Sequence, residues 1–386
     1  MFESCEFHDV AMSTKLDRHN EAGGDVVKRR AFLRGAAVAL TGPAVAAPAI
    51  AQSAPEIQWR MSSSYPKSTD AIFGTAKILC RYVAEATDNK FQIQAYAAGE
   101  LTPSRQALDA VTSGSVDCAF TPLHFYFYKD PVLGVGSGLP FGLNARHQLS
   151  WWTFGGGNEI VNAALKKFNV YGIPAGSTGA QMGAWFKKEI NTLEDLKGLR
   201  IRVGALGAPI FERIGAKAHY LSHADVYAAL ETGTIDAAEF ICPHDDEKLG
   251  ISKLAKYNYH PSWWESGGMV HLIVNQERWN ALPKPYRAIV ERACNSANSW
   301  MLARYDALNP AALKRLVATG AILKSFPQPI LEACHKAATD HFGEVAAKDA
   351  AFKKALDSVN AFRREQLPWW QIAEYAYDSI SLGVRS

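Results

Sequence analysis

Apolar residues in the first half of the chain follow two alternating periods. Short runs rich in β-branched and aromatic residues predict strands at 57–64, 91–97 and 116–121, and longer amphipathic runs predict helices at 69–86 and 105–112. This alternating order is typical of an α/β sheet that carries helices on its faces. The pattern therefore predicts one α/β lobe in this part of the chain.

The same alternation returns after residue 168. It predicts strands at 170–174, 199–203 and 237–241 and helices at 208–214 and 223–231. A further strand is predicted at 269–275, after a segment rich in tryptophan and glycine, which suggests that the chain crosses back to the first lobe there. We therefore expect two α/β lobes.

The chain beyond Tyr286 has an almost wholly helical pattern. Long helices are predicted at 330–364 and 370–382, with a break or kink at Pro368, because proline has no N–H and its ring clashes with the preceding turn. Aromatic residues in exposed-looking positions lie near the end of the chain: Phe362, Trp369, Trp370, Tyr375 and Tyr377. Extended apolar surface marks an interface, so we expect a homodimer built on the C-terminal helix.

Residues 1–51 are predicted to be a leader that is removed on export. The stretch 28–33 (KRRAFL) has the form of a twin-arginine signal, and an alanine-rich run at 35–50 leads to a small-residue cleavage site. A membrane anchor is the alternative, but glycine and proline interrupt the run, which is shorter than the roughly 20 apolar residues that span a bilayer. We therefore expect export to the periplasm and a mature chain that begins at Gln52.

Charge, motifs and cysteines narrow the possible functions. The net charge of +3 is too small for a nucleic-acid-binding surface, so no nucleic-acid partner is expected. The sequence has no CxxC, HExxH, phosphate-binding-loop or GxSxG motif, which argues against the chemistry that those motifs support. Five cysteines beyond the leader are expected to be buried free thiols, although export would permit disulfides: Cys80, Cys118, Cys242, Cys294 and Cys334.

Two arginines on one predicted strand are the strongest candidates for ligand binding. A short helix capped by Thr192 and Asp195 precedes the strand 199–203, and the period of two places Arg200 and Arg202 on one face. A guanidinium is always charged and offers two parallel N–H donors, so it binds a carboxylate bidentately. Taken alone, either arginine is more typical of a surface salt-bridge partner than of a ligand-binding group.

A series of collinear segments resembles the solute-binding proteins of tripartite ATP-independent periplasmic (TRAP) transporters, most closely the subgroup that binds 2-oxo acids such as pyruvate. The resemblance runs from about Gln58 to Tyr377. It is carried by 59–68 (WRMSSSYPKS), 99–101 (GEL), Tyr126 with 129–131 (KDP), 178–185 (TGAQMGAW), 201–204 (IRVG), 233–239 (GTIDAAE), 245–250 (DDEKLG) and 261–265 (PSWWE).

The resemblance implies an α/β fold of the two-lobed periplasmic binding protein type (type II-like), with hinge strands and a long C-terminal helical segment. The implied partners are the membrane permease subunits of the transporter. The expected leader is 1–51. Lobe 1 is expected at 52–175, completed by about 266–300, and lobe 2 at 176–265. Residues 301–386 are expected to form C-terminal helices that span the two lobes and form the dimer.

The resemblance also implies the ligand site. Arg202 would hold the substrate carboxylate, and Tyr126 would hydrogen-bond the ligand. A cation would bridge ligand and protein through Gln181, Glu239, Phe240 and Glu265. The family has tryptophan at the position of Phe240, which would contribute its backbone carbonyl. The substrate-binding set is thus Arg202, Gln181, Tyr126 and Phe240.

Elementary electrostatics agrees with a bridging cation. Glu239 ends a predicted strand and Glu265 follows two tryptophans, and two buried carboxylates are costly unless a positive charge compensates them. Oxygen ligands favour a hard ion, Na⁺ or Ca²⁺. Charge balance favours Ca²⁺, the resemblance favours Na⁺, and a proton is the remaining option.

Two neighbouring features have simpler interpretations. Trp185, Trp263 and Trp264 are expected to form pocket walls. The segment 244–247 (HDDE) is expected to be a solvated turn that caps the following helix rather than a metal cluster.

Two functions of different classes remain open, together with a variant of the first. The chain is predicted to bind a small 2-oxo or 2-hydroxy monocarboxylate without changing it, as the extracytoplasmic subunit of a TRAP transporter. An enzyme could instead use Glu239 and Glu265 as a paired acid and base, as glycoside hydrolases do. The binding function is preferred because no nucleophile or cofactor motif accompanies the two carboxylates. A ligand sensor on the same fold is the variant.

Overall fold

The secondary structure alternates strands and helices up to a long helical C-terminal region. The computed structural model describes residues 55–384, so the predicted leader lies outside the described residues. The strands are β1 Ile57–Ser63, β2 Phe91–Tyr96, β3 Cys118–Pro122, β4 Val170–Ser177, β5 Ala184–Phe186, β6 Arg200–Arg202, β7 Lys217–His219, β8 Ala237–Glu239, β9 Tyr257–His260, β10 Met269–Asn275 and β11 Ile322–Ser325. The α-helices are α1 Asp70–Ala86, α2 Ala107–Thr112, α3 Val132–Ser137, α4 Ala145–Phe154, α5 Gly157–Leu165, α6 Ala208–Arg213, α7 Val226–Glu231, α8 Pro243–Leu249, α9 Gln276–Ala281, α10 Lys284–Ala318, α11 Gln328–Lys348, α12 Ala350–Trp370 and α13 Ala376–Gly383.

The first sheet has the strand order β2-β1-β3-β10-β4. Strands β2 and β3 both pair with β1 in parallel, as the predicted βαβαβ order requires. Strand β10 lies antiparallel between β3 and β4 and has the bounds that its apolar run predicts. All seven residues of β10 are buried, and helices α2, α3 and α9 pack against the strand.

The second sheet has the order β11-β9-β5-β8-β6-β7. Its strands β7, β6 and β8 are parallel, and β5 runs antiparallel to both β8 and β9. Two mixed sheets with helices on their faces confirm the predicted two-lobed α/β class.

Three segments connect the two sheets. Residues 178–183 lead from β4 to β5, residues 261–268 lead from β9 to β10, and α10 leads from the first sheet to β11 of the second. Helix α10 touches both sides: Tyr305 donates a hydrogen bond of 2.7 Å to Asp245 in α8, and the Met301 sulfur lies against Gly176 of β4. The long helix predicted to span both lobes is therefore present.

The C-terminal helices differ from the prediction at Pro368. The break comes at Asp349 instead, between α11 and α12, where the Asp349 carboxylate caps α12 by accepting from Phe352 N at 2.9 Å. Helix α12 continues through Pro368, and a π-helical turn over 371–375 follows it. The helix therefore does not end at the proline, and the break predicted there is wrong.

Two further observations concern the helices and the cysteines. Within residues 55–384, no helix is both long and apolar enough to cross a membrane. The five cysteines there are free thiols, and four of them are buried, as their positions in apolar runs predict: Cys118, Cys242, Cys294 and Cys334.

Candidate functional site

A capped turn sets the start of strand β6. Thr192 and Asp195 form the predicted capping box around the short helix Leu193–Leu196, and Asp195 Oδ2 accepts from Thr192 N at 2.8 Å. Gly198 then adopts a positive φ of 72°, which reverses the chain with no side-chain penalty. The turn fixes the register of β6 beside β8, with Arg202 opposite Ala238.

The two arginines of β6 have different environments. Arg200 forms a two-pronged ion pair with Asp236 at 2.8 and 2.6 Å, and 41% of its side chain is exposed. Arg202 is buried, with 4% of its side chain exposed. The salt-bridge interpretation therefore applies to Arg200, whereas Arg202 is a buried cation.

Arg202 binds Glu239 twice. Its Nη1 donates to the Glu239 side-chain Oε2 at 2.5 Å and to the Glu239 backbone oxygen at 2.7 Å. Burial raises the pKa of Glu239, and the charge of Arg202 opposes that rise. Nε donates to Leu221 O at 3.4 Å, and Nη2 has no acceptor among residues 55–384, so this nitrogen is available to a ligand.

A cavity of about 20 Å³ lies beside this pair and contains most of the predicted site. Its lining residues are Tyr65, Ile72, His124, Phe125, Thr178, Gln181, Arg202, Gly204, His223, Glu239, Phe240, Ile241 and Glu265. Arg202 and Glu239 are the last residues of parallel strands, and Tyr65 and His124 follow the ends of β1 and β3. The cavity is therefore at the carboxyl ends of the strands, where open α/β sheets bind ligands.

Tyr126 is not among the lining residues. Its buried hydroxyl lies 2.7 Å from Thr121 Oγ1 inside the first sheet, and burial raises its pKa to about 12. Tyr65 lines the cavity instead, and the nearby Glu265 and Glu239 help burial to raise its pKa well above the usual range. A direct ligand contact by Tyr126 is therefore not supported by its position.

Gln181 and Glu265 lie in the segments 178–183 and 261–268, which connect the two sheets. Burial, followed by the charge of Glu239, raises the pKa of Glu265 well above that of an exposed glutamate, although Arg202 and Gln181 oppose the shift. Gln181 donates from Nε2 to Thr178 at 3.0 Å, and its buried Oε1 has no partner among the described residues. A Cβ on Gly268 would collide with Glu265 Oε1 and come within 3.2 Å of Gln181 Nε2, so the glycine leaves room for both groups.

These residues fit a bound cation. The Glu239 carboxylate, the Glu265 carboxylate whose pKa burial and Glu239 raise, and an orphaned amide oxygen offer oxygen ligands of the kind that Na⁺ and Ca²⁺ prefer. Phe240 lies one residue beyond the ladder of β8 and also lines the cavity. No group of three or more His, Cys, Asp and Glu side chains suited to a metal occurs within 55–384, so such an ion would need amide and carbonyl oxygens as well.

Two expectations about neighbouring residues are wrong. Trp185, Trp263 and Trp264 are buried in the cores and do not line the cavity; Trp185 Nε1 donates to Asp246 at 2.7 Å. The segment expected as a solvated turn is part of α8, and Asp245 and Asp246 are buried, which raises the pKa of each to about 7. Both carboxylates accept hydrogen bonds in the core, from Tyr305 and Trp185.

The sequence analysis did not assign Tyr65, His124 or His223 to the site. Tyr65 and His124 could have been found by applying the carboxyl-end rule to the predicted strands of the first lobe. No comparable signal identifies His223, because it lies in an irregular segment between β7 and α7.

Two α/β sheets that bring a buried arginine and two carboxylates to one cleft define a two-lobed solute-binding protein. The model of the family called bacterial extracellular solute-binding protein, family 7 (DctP), matches residues 62–349, so the chain belongs to this family. The resemblance noted in the sequence is therefore confirmed.

Individual relatives agree with the family. A monocarboxylate 2-oxoacid-binding periplasmic protein of Nostoc sp. is 43% identical over 361 residues, 92% of this chain and 99% of that protein. A TRAP transporter solute-binding protein of Bordetella bronchiseptica, a mixed-occupancy dimer with copurified calcium and picolinate, has a TM-score of 0.84 and 41% identity over 85% of this chain and 98% of its own. A TRAP solute-binding protein of Pseudoalteromonas atlantica with bound sodium and pyruvate has a TM-score of 0.81 and 30% identity over 84% and 99%.

Proposed function

We propose that the protein binds a small 2-oxo or 2-hydroxy monocarboxylate, similar to pyruvate, and delivers it unchanged to the membrane permease of a TRAP transporter. The observation that carries the proposal is the buried Arg202, whose Nη2 has no acceptor among the described residues, at a cavity that Glu239 and Glu265 also line. Arg202 would bind the ligand carboxylate, and the acids bound by the relatives support this ligand class.

A cation would complete the site. Gln181, Glu239, Glu265 and the backbone carbonyl of Phe240 would hold it, and its charge would compensate the two carboxylates and attract the ligand oxygens. The relatives support both ions, since calcium is bound in one and sodium in the other. Na⁺ is our choice, and Ca²⁺ is the alternative.

The geometry favours binding over acid–base catalysis. An acid and base pair needs two carboxylates with separate roles, but the Glu239 carboxylate is paired with Arg202 through Oε2 at 2.5 Å. We therefore propose no enzymatic activity. A sensor role would use the same site and would differ only in its protein partner.

Calorimetric titration tests the function directly. Pyruvate and 2-oxobutyrate are expected to bind and to raise the melting temperature by mass action, and mass analysis should recover each acid unaltered. Stabilisation by sugars or amino acids, and by none of these acids, would contradict the proposed ligand class. Recovery of a chemically changed acid would contradict the transport function instead.

We also propose the route and the organisation of the chain that its sequence predicts. Residues 1–51 would direct export by the twin-arginine pathway to the periplasm. Lobe 1 would comprise 52–175 with about 266–300, lobe 2 would comprise 176–265, and 301–386 would form the C-terminal helices.

A homodimer is expected from the end of the chain. Trp369, Ile372 and Tyr377 are 65%, 70% and 70% exposed on the last helical segment, more apolar surface than a lone chain usually presents. Light scattering at micromolar concentration should therefore give twice the monomer mass. Replacing Ile372 and Tyr377 with serine should shift the protein towards the monomer, and a monomeric wild-type protein would contradict the dimer.

A further inference from the structure

Three cavities meet at His223. One is the ligand cavity, of about 20 Å³ beside Arg202, and the others are two outer cavities of about 230 and 240 Å³, both lined in part by the exposed Ser222. His223 lines all three, and it is the one described residue that the ligand cavity shares with the larger outer cavity. With the smaller outer cavity the ligand cavity shares Arg202 and Phe125 as well. A ligand tail that leaves the ligand cavity for either outer cavity therefore passes His223.

Aromatic rings from both sheets surround His223. The residue lies between β7 and α7, beside the second sheet. Its ring centroid is 5.4 Å from that of Phe240, which follows β8 of the same sheet, and 5.6 and 6.4 Å from those of Tyr65 and Phe125, which follow β1 and β3 of the first sheet. All three neighbours line the ligand cavity. His223 thus reaches from one sheet to the rings of the other and forms a wall of that cavity.

This wall separates a small space from two large ones. The ligand cavity has less than a tenth of the volume of either outer cavity, and its 20 Å³ is little more than one water molecule requires. It has no room for a long ligand tail, whereas each outer cavity has. The length of tail that the protein accepts therefore depends on whether the tail can pass His223.

The wall is uncharged. Burial, followed by the charges of Arg202 and Arg105, lowers the pKa of His223 well below its usual range, so the imidazole is neutral at physiological pH. A neutral ring among aromatic neighbours offers no counter-charge to a second carboxylate, but it packs well against an apolar group. The wall therefore suits the apolar end of a monocarboxylate.

We propose that His223 is a specificity-determining residue, which limits the bound 2-oxo acid to a short apolar tail by closing the ligand cavity against the outer cavities. This inference rests on the proposed function and deepens it, because it requires the carboxylate of the acid to be held at Arg202. The bulk of the ring, and not a hydrogen bond from it, excludes longer tails. A smaller side chain at this position opens the ligand cavity to a space more than ten times its volume.

Unbranched 2-oxo monocarboxylates test the inference by calorimetry in saturating sodium or calcium chloride. Pyruvate and 2-oxohexanoate share the group that Arg202 would bind and differ only in tail length. The wild-type protein should bind pyruvate about ten-fold or more tightly than 2-oxohexanoate. His223→Ala removes the wall, and each methylene that becomes buried in the opened space adds about four-fold in affinity, so this ratio should fall by about ten-fold or more.

His223→Phe and Tyr220→Ala are the controls. Phenylalanine keeps an aromatic ring of similar size without the ring nitrogens, so the ratio should stay within about three-fold of wild type. Tyr220 lies in the same segment but lines only the smaller outer cavity, so Tyr220→Ala should leave the ratio unchanged. Both positions lie outside the helices and strands, so all three variants should melt close to the wild-type temperature.

Four results would overturn the inference. They are equal affinity of the wild-type protein for the two acids, an unchanged ratio in His223→Ala, a fall in His223→Phe as large as that in His223→Ala, and an equal fall in Tyr220→Ala. The third would assign the effect to the ring nitrogens, and the fourth would assign it to the segment as a whole. Failure of the wild-type protein to bind either acid would instead overturn the proposed function, and this inference with it.

Discussion

Replacing Arg202 with lysine is expected to weaken the binding of pyruvate by roughly 1.5–3 kcal/mol, about ten-fold to more than a hundred-fold in Kd. Lysine keeps the charge that neutralises Glu239, so the variant should fold. It loses the planar guanidinium, in which Nη1 holds Glu239 and Nη2 is left for the ligand, and a single ammonium cannot occupy both positions. Calorimetric titration of both proteins measures the difference.

Arg200→Lys is the matched control for this experiment. Arg200 lies on the same strand, two residues away, but its guanidinium pairs with Asp236 and its side chain is 41% exposed. An exposed pair contributes at most about 1 kcal/mol to stability, and its loss should leave pyruvate affinity unchanged. Wild-type affinity in Arg202→Lys together with a loss in Arg200→Lys would show that the wrong arginine is assigned to the ligand.

The long elements of the fold were predictable because their patterns are local. Strand β10 and helix α1 each have a periodic apolar run that a single segment contains. Strands β5 and β7 were not predicted, because their pairing depends on strands that are distant in the sequence. Pro368 misled the prediction because helix α12 continues through the proline, which a rule based on the residue alone does not foresee.

The candidate site shows the same limit. Period-two alternation places Arg200 and Arg202 on one face of β6, but it does not say which arginine is buried. The neighbouring strand decides this, because Asp236, with 32% of its side chain exposed, lies just before β8 and Glu239 lies at its buried end. The resemblance is limited in the same way. It assigned a ligand contact to Tyr126, whereas Tyr65, to which it assigned no role, is the tyrosine that lines the cavity.

Glu265 is expected to make cation and ligand binding depend on pH. Burial and Glu239 raise its pKa, so the free protein keeps a proton there at pH values at which an exposed glutamate is ionised. A cation requires the ionised carboxylate and releases that proton when it binds. Affinity for the cation, and for the acid that it bridges, should therefore rise between about pH 5 and about pH 8, by up to about ten-fold per pH unit.

The stability of the free protein should change in the opposite direction. Between the ordinary and the raised pKa of Glu265 the unfolded chain has lost the proton that the folded protein keeps, so stability falls as pH rises. Asp245 and Asp246, with pKa values raised to about 7, contribute a similar fall. A bound cation opposes only the fall in stability that Glu265 causes. We therefore expect sodium or calcium chloride to raise the melting temperature, relative to choline chloride at equal ionic strength. This increase should grow with pH.

Two variants and a control test whether the effect of the cation on melting temperature belongs to Glu265 rather than to the other buried carboxylates. Glu265→Gln removes the charge at nearly constant shape and should lower pyruvate affinity about ten-fold or more, while the cation-dependent increase in melting temperature and its pH dependence disappear. Gly268→Ala keeps every charge but adds a methyl group against Glu265 Oε1 and within 3.2 Å of Gln181 Nε2, so it should cause the same loss by displacing both side chains. Gly343→Ala adds an equal methyl group in open space and should change neither quantity. Full pyruvate affinity for the wild-type protein in buffer free of sodium and calcium would show that a proton, and not a cation, compensates Glu265.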